Sequence, residues 1–278
     1  GNIMALWIAR EKLKEYGNPI VVAHYESHYS IEKACRMLGL ELVKNSKEDW
    51  NKPLGGEMIE SIVKGDRPII CVATVGHTST GIIDDVKSIS DYLKKSQNHH
   101  YLHLDAAVGG LFVSLDKEAK IDFCLPEVQS ITFDFHKYGL FYYPSGLFLC
   151  RKDLQNNIQN KANYVNIFDD TLIGSRSGTI PAIMWANTEL LKEEGLLKRI
   201  ADITNNKNRF IKELLLKKIT YISEERMPVV CFFLKDRLPE DVELKYRLHH
   251  IKRPDGYGYT IFFYPKYLTA YSDLLSSI

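Results

Sequence analysis

No run among the 278 residues approaches the roughly 20 consecutive apolar positions that a membrane-spanning helix requires, so no membrane partner is expected. Charge of one sign is also lacking: 36 Lys and Arg stand against 35 Asp and Glu. That balance gives no electrostatic ground for a nucleic-acid partner. The five cysteines, Cys35, Cys71, Cys124, Cys150 and Cys231, show no CxxC spacing. Most lie in apolar runs and are expected to be buried free thiols rather than disulfides or metal ligands, which suits a reducing compartment. No signal-peptide pattern, repeat or low-complexity tract is visible, and a cytoplasmic location is the expectation. His99, His100 and His103 crowd together at a helix–strand connection and inside a strand. No acids accompany them at ligand spacing, so no metal site is expected.

A hydrophobic share of 45% over this length allows one large domain with a real core and one small one. The pattern alternates between helix and strand. Ile3–Tyr16 carries apolar residues at helical spacing, and Pro19–Ala23 reads as a strand. Ser30 is placed to cap a helix over Ile31–Leu38. A helix over Glu57–Lys64 precedes Pro68–Val75, an unbroken apolar run of the kind found in strands buried on both faces. Asp84 and Asp85 open a helix over Val86–Lys95, where first-turn acids complement the dipole, so both read as structural. Such alternation predicts an α/β fold with a mainly parallel sheet and ligands beyond the strand C-termini. Helices over Pro181–Glu194 and Leu196–Lys218, broken at Gly195, lead out of the sheet. Short elements follow at Val229–Leu234, Pro239–Arg247, Thr260–Tyr264 and Tyr267–Ser277, with a hairpin turn at Pro254–Gly256. The expected division is a large domain over 1–195, then a connecting helix and a small α+β domain over 196–278.

Two stretches carry chemistry. Tyr101–Gly110, YLHLDAAVGG, reads as a buried strand ending in an acid, Asp105, followed by Ala106 and Ala107. Ser130–Gly139, SITFDFHKYG, reads as a second buried strand followed by His136 and Lys137. An acid and a lysine at the ends of successive strands can hold pyridoxal phosphate (PLP). The amine can form an imine with the aldehyde, and the carboxylate can pair with the pyridinium nitrogen, which makes the ring an electron sink. The alanines leave room for a flat ring. Read from spacing alone, the same pattern fits any α/β sheet whose strands end at solvent in charged residues.

HLDAAVGG followed by SITFDFHKYG resembles the fold-type I, group II PLP-dependent decarboxylases and their relative sphingosine-phosphate lyase. The resemblance covers nearly the whole chain and is strongest between His24 and Trp185. It implies that Asp105 meets the ring nitrogen, that Ala107 lies under the ring, and that Lys137 is the Schiff-base residue with His136 beside it. HYESHYSIEKACRMLGLELV, from His24, is similar to the histidine- and serine-decarboxylase branch, where the residue matching His28 stacks on the cofactor ring. TLIGSRSGTIPAIMW, Thr171–Trp185, resembles the same branch. Thr74 matches a threonine near the ring, able to hydrogen-bond the phenolate oxygen or brace Asp105, and Asp134 matches a residue near the phosphate. Gly1-Asn2 resembles the tail of the phosphate-binding turn, where a helix N-terminus suits an anion. His77 departs from the family's G-T-T and is expected to be exposed. Arg176 fits a substrate carboxylate or a structural ion pair, and the ion pair is the expectation.

The resemblance implies decarboxylation of an L-amino acid to its amine and CO2, closest to the histidine decarboxylases, with PLP as cofactor. It further implies a homodimer with the active site at the subunit interface. Family members carry several helices ahead of the turn at Gly1, and these are expected to contribute to the dimer and the substrate pocket. Two alternatives stand. DFHKYG favours a carbon–carbon lyase of the sphingosine-phosphate lyase type. A truncated, non-catalytic subunit that contributes only an interface is the other.

Overall fold

Strands that are apolar on both faces need cover on both faces, and alternating strand and helix supplies it. The computed structural model describes residues 1–139, 141–162, 166–248, 250–253, 255–265 and 273–275. Helix α1 (Asn2–Leu13) leads into β1 (Ile20–Ala23), α2 (Tyr29–Leu38), β2 (Glu41–Lys44), α3 (Gly56–Ile62) and β3 (Ile69–Thr74). Then come α4 (Val86–Lys95), β4 (His100–Asp105), α5 (Gly110–Ser114), β5 (Val128–Asp134) and β6 (Gly146–Cys150). Among the described residues these strands form a six-stranded sheet in the order β2-β1-β3-β4-β5-β6. It is parallel except for β6, which returns antiparallel to β5. A separate antiparallel ribbon joins β7 (Asn160–Ala162) to β8 (Ile167–Asp169).

All six residues of β3 are buried, as its unbroken apolar run demands. On one face of the sheet Ala5, Leu6, Ile8, Ala9 and Leu13 of α1 pack with Val21, Ile70, Val72 and Tyr101. Each large side chain so buried contributes about 1.5–3 kcal/mol. The parallel register sets Thr74 beside Asp105, and Asp105 beside Thr132. Three polar side chains therefore stand in a row at the strand C-termini. Gly110, just beyond this row, has no room for a Cβ, which would run into the Phe133 ring.

The chain divides into two compact units, residues 1–75 with 83–187, and residues 76–82 with 188–278. Helical hydrogen bonding runs over α6 (Thr179–Leu216), with non-helical backbone at Lys192 (φ 52°, ψ −174°). The break thus falls at Lys192 and not at Gly195, which stays helical; a helix retains a glycine for about 1 kcal/mol. In the second unit β9 (Tyr221–Ile222), β10 (Val229–Leu234), α7 (Glu240–Tyr246), β11 (His250–Arg253) and β12 (Gly256–Phe262) follow. The strands form an antiparallel sheet in the order β11-β12-β10-β9. The hairpin sets Arg253 opposite Gly256; Pro254, and most of the element expected over Tyr267–Ser277, lie outside the described residues. Lys207 is 2% exposed, and its ammonium donates to the carbonyls of Glu224, Glu225 and Met227.

Two local expectations give way. The cap of α2 is His28, whose Nδ1 accepts from Ser30 N at 3.4 Å, so Ser30 lies inside the first turn. His77 is fully buried, not exposed. Its N–H donates to Ile82 O and its carbonyl accepts from Gly81 N, which folds the residue into a closed turn. Of the cysteines, Cys35, Cys71 and Cys231 are buried, Cys150 is half-buried and Cys124 is exposed. Among the described residues no helix is long and apolar enough to cross a membrane.

Asp84 ties the sheet to the loop before α3. It is 1% exposed, and its two oxygens accept from Leu54 N at 2.8 Å and Thr74 N at 2.7 Å. Asp84→Ala leaves both buried donors unmatched and is expected to lower stability in urea unfolding by about 2–4 kcal/mol. A loss below about 0.5 kcal/mol would mean that water replaces the carboxylate. In the second unit, Glu243 accepts from Arg237 and Tyr259 and pairs with His250 at 3.0 Å. The Arg237 hydrogen bond, against the burial that opposes it, holds the carboxyl at about 2, below its ordinary 4.5. The folded state therefore binds fewer protons than the unfolded chain between those values, and stability falls as the pH drops through them. The stability gap between the wild type and Glu243→Gln should be full above pH 4.5 and shrink towards pH 2. A gap independent of pH would rule out this ion pair.

Candidate functional site

Asp105, the last residue of β4, is 4% exposed. Its Oδ2 accepts from Asn2 Nδ2 at 2.7 Å and its Oδ1 from Ala107 N at 3.3 Å. Asn2 comes from the first turn of α1. That turn lies against β5 so closely that a Cβ at Gly1 would run into the Thr132 side chain. The same Nδ2 donates to Ser30 Oγ at 2.9 Å, and Asn2 Oδ1 lies 3.0 Å from His103 Nε2. His103 is fully buried two residues before Asp105, on the same face of β4, and its Nδ1 lies 2.8 Å from Ser130 Oγ. Burial pushes its imidazole down to about 4, although the Asp105 carboxylate pulls the other way.

After β5 the chain makes one wide π-helical turn, Phe135–Gly139, a form frequent at functional sites. It carries Lys137, whose Nζ lies 3.5 Å from Asp134 Oδ2, and His136, whose Nε2 lies 3.7 Å from the same oxygen. His136 Nδ1 accepts from Ser145 N at 3.3 Å, which fixes the ring against the start of β6. The Lys137 side chain keeps a third of its surface exposed, so its amine is reachable.

His28 sits at the start of α2 with its Nδ1 2.7 Å from Ser30 Oγ. Burial pushes its imidazole below the ordinary value; Asp105 opposes that, Lys137 reinforces it and Asp134 opposes it. One half-buried ring therefore feels both carboxylates and the ammonium. The residues singled out in sequence, Asn2, His28, Thr74, Asp105, Ala107, Asp134, His136 and Lys137, all belong to one compact unit, on the first turns of α1 and α2 and at the ends of β3, β4 and β5.

The structure departs from expectation in two places, at Thr74 and at Arg176. Thr74 does not brace Asp105: its hydroxyl is buried and makes no hydrogen bond among the described residues. Asn2 stands at the N-terminus of α1 as expected from its motif, with its side chain turned inward to Asp105 and His103. Arg176 is exposed, and among the described residues it makes no ion pair. Sequence reading missed the part played by Ser30, His103 and Ser130. The signal for His103 was available, since alternation along a strand puts residues two apart on one face. His100 instead meets Glu127, and His99 stacks on Tyr16 with ring centroids 3.5 Å apart.

A tryptophan decarboxylase of Clostridium sporogenes is 29% identical over 241 residues, 82% of this chain and 58% of that protein. A probable L-tyrosine/L-aspartate decarboxylase of Methanocella arvoryzae is 36% identical over 199 residues, 70% of this chain and 52% of that protein. The chain thus spans a little over half the length of the curated relatives it matches. Among solved structures, the sphingosine-1-phosphate lyase of Burkholderia pseudomallei superposes over 99% of this chain and 66% of its own, with a TM-score of 0.84 at 18% identity. At that identity the likeness is one of fold. Residues 8–235, well over half of the chain, match the pyridoxal-dependent decarboxylase conserved domain, and the protein therefore belongs to the pyridoxal-dependent decarboxylase family.

Proposed function

We propose that this chain is the cofactor-binding part of an enzyme that removes the carboxylate of an L-amino acid as CO2 and leaves the amine. The observation that carries the reading is the buried Thr74 hydroxyl, without a hydrogen bond, in register beside a carboxylate held by two N–H donors. A buried polar atom left unmatched costs about 1–3 kcal/mol, and a ligand atom that completes it removes that cost. The donor set suits PLP. Asp105 would hold the protonated ring nitrogen, Thr74 would donate to a ring oxygen, and Lys137 would anchor the aldehyde carbon. His28 would lie on the ring, over the space that Ala107 leaves. Gly1 and Asn2 would present the N-terminus of α1 to the phosphate.

When bound, PLP supplies an electron sink for the charge left on the α-carbon as the carboxylate departs. The chain's own groups do the rest. Asp105 keeps a negative charge where the cationic nitrogen needs it, and Asn2 and Ala107 N–H keep that carboxylate in place. Asp134 sits beside the Lys137 amine and fixes its direction. The half-buried His28 would hold the ring, and its imidazole, lowered by burial, suits it to pass a proton.

The relatives are named for tryptophan and for tyrosine or aspartate, not for histidine, so the histidine-like expectation is replaced by an L-amino acid of unspecified side chain. A homodimer closing the site belongs to the same proposal. Tyr142 and Tyr143, 70% and 79% exposed just after the Lys137 turn, support it as surface that a second copy would cover. A cytoplasmic location is proposed on the free thiols.

The full-length protein, incubated with PLP and each of the protein L-amino acids, should release CO2 and the matching amine from at least one. Release from none ends the reading. Lys137→Ala should abolish the visible absorbance that borohydride fixes on the protein; colour that survives would move the anchor elsewhere. Thr74→Val should weaken PLP binding about tenfold, the value of one hydrogen bond to an anionic oxygen. The cofactor-free protein should lose no stability, because the hydroxyl has no hydrogen bond to lose. Unchanged affinity in Thr74→Val would remove Thr74 from the site.

A further inference from the structure

We infer that Asn2 is a positioning residue: its carboxamide, oriented by His103, holds the Asp105 carboxylate and directs the Ser30 hydroxyl to His28. The inference rests on the reading of the site given above. A carboxamide has two donors on nitrogen and an acceptor on oxygen, and its surroundings decide which way it faces. Here Nδ2 meets Asp105 Oδ2 at 2.7 Å and Ser30 Oγ at 2.9 Å, while Oδ1 faces His103 Nε2 at 3.0 Å. The opposite orientation would press an acceptor oxygen against a carboxylate.

This orientation propagates in two directions. Asn2 Oδ1 can only accept, so His103 carries its proton on Nε2; its Nδ1 accepts from the Ser130 hydroxyl at 2.8 Å, nearer than the Ser130 carbonyl at 3.2 Å, which competes for that proton and loses to the shorter Nε2 contact. The Thr132 hydroxyl lies 3.3 Å from the same Nε2 and takes a minor share of that proton. Burial keeps His103 neutral, as this pattern requires. On the other side, Ser30 Oγ receives the Asn2 N–H, so its own hydroxyl proton turns to His28 Nδ1 at 2.7 Å. Ser30 N–H points to the same nitrogen at 3.4 Å. Nδ1 of His28 is therefore an acceptor, and its proton sits on Nε2.

The consequence is electronic. Each donor aimed at a carboxylate occupies a lone pair on the oxygen it meets. With Asn2 donating to Oδ2 and Ala107 N–H to Oδ1, each oxygen has one lone pair fewer for a proton shared with a pyridine nitrogen, and the proton stays on nitrogen. Without Asn2 the oxygen gains ground. The residue acts through Asp105 and His28 and need not touch the reacting atoms.

The test uses full-length protein loaded with PLP labelled with nitrogen-15 in the ring, whose chemical shift separates protonated from unprotonated nitrogen. The wild type should read as protonated. In Asn2→Ala and in His103→Phe the proton's partition between nitrogen and oxygen should move about tenfold towards oxygen. In the same samples the nitrogen-15 histidine spectrum should show His28 losing its pure Nε2–H form. His103→Gln, which keeps an N–H donor towards Asn2, should restore both signals. If Asn2→Ala does not fold, the near-isosteric His103→Phe decides. Unchanged ring shift and unchanged His28 tautomer in the folded variants overturn the inference, and so do equal shifts in the Gln and Phe variants, which would reduce His103 to packing. The borohydride-fixable absorbance on Lys137 of the wild type reports separately. Its absence brings down the underlying reading as well, whereas its presence with inert variants sinks this inference alone.

Discussion

The register of three parallel strands governs this site. Parallel pairing of β3, β4 and β5 sets Thr74, Asp105 and Thr132 side by side towards the C-terminal ends of these strands. A shift of one residue in any strand would turn its side chain to the opposite face. The fully buried apolar run of β3 and the packing of α1 against Val21, Ile70, Val72 and Tyr101 make such a shift costly. The polar chemistry is thus positioned by apolar burial beneath it, and its precision comes from a core that cannot slide.

Charge at the site is arranged economically. Two carboxylates, one ammonium and three histidines lie within one unit, yet each has a distinct environment. Asp105 is buried and tied by N–H donors, whereas Asp134 faces the reachable amine of Lys137 and the ring of His136. His103 is buried and neutral, and His28 is half-buried between opposing charges. Environment, more than residue type, assigns the roles. The buried, unmatched hydroxyl of Thr74 fits the same logic, because native proteins tolerate such an atom where a ligand completes it.

Much of this was legible before the structure. Continuous apolar runs separated by amphipathic helices gave the parallel α/β sheet, because burial on both faces leaves that signature. The acid of HLDAA and the lysine of FHKYG stood out as charged residues at the ends of apolar strands, and the family resemblance assigned them a common purpose. Less legible were local details that depend on side-chain reach. The cap of α2 shifted from Ser30 to His28 because an imidazole two residues earlier reaches the unpaired N–H of Ser30 in the first turn. His77 was misjudged because a polar residue in a turn-rich loop looks exposed until the loop closes on itself through Gly81 and Ile82.

Residue order by itself determined the strands, the helices that cover them and the identity of the charged groups at their ends, since periodicity and burial are properties of neighbours along the chain. Only the tertiary structure decided that Asn2 reaches Asp105 across 103 positions, that His103 orients it and that Thr74 is left without a hydrogen bond. Those contacts follow from which strands lie side by side and from the path α1 takes over the sheet. No local pattern encodes either, because a hydrogen bond between distant residues depends on the geometry of every crossover between them.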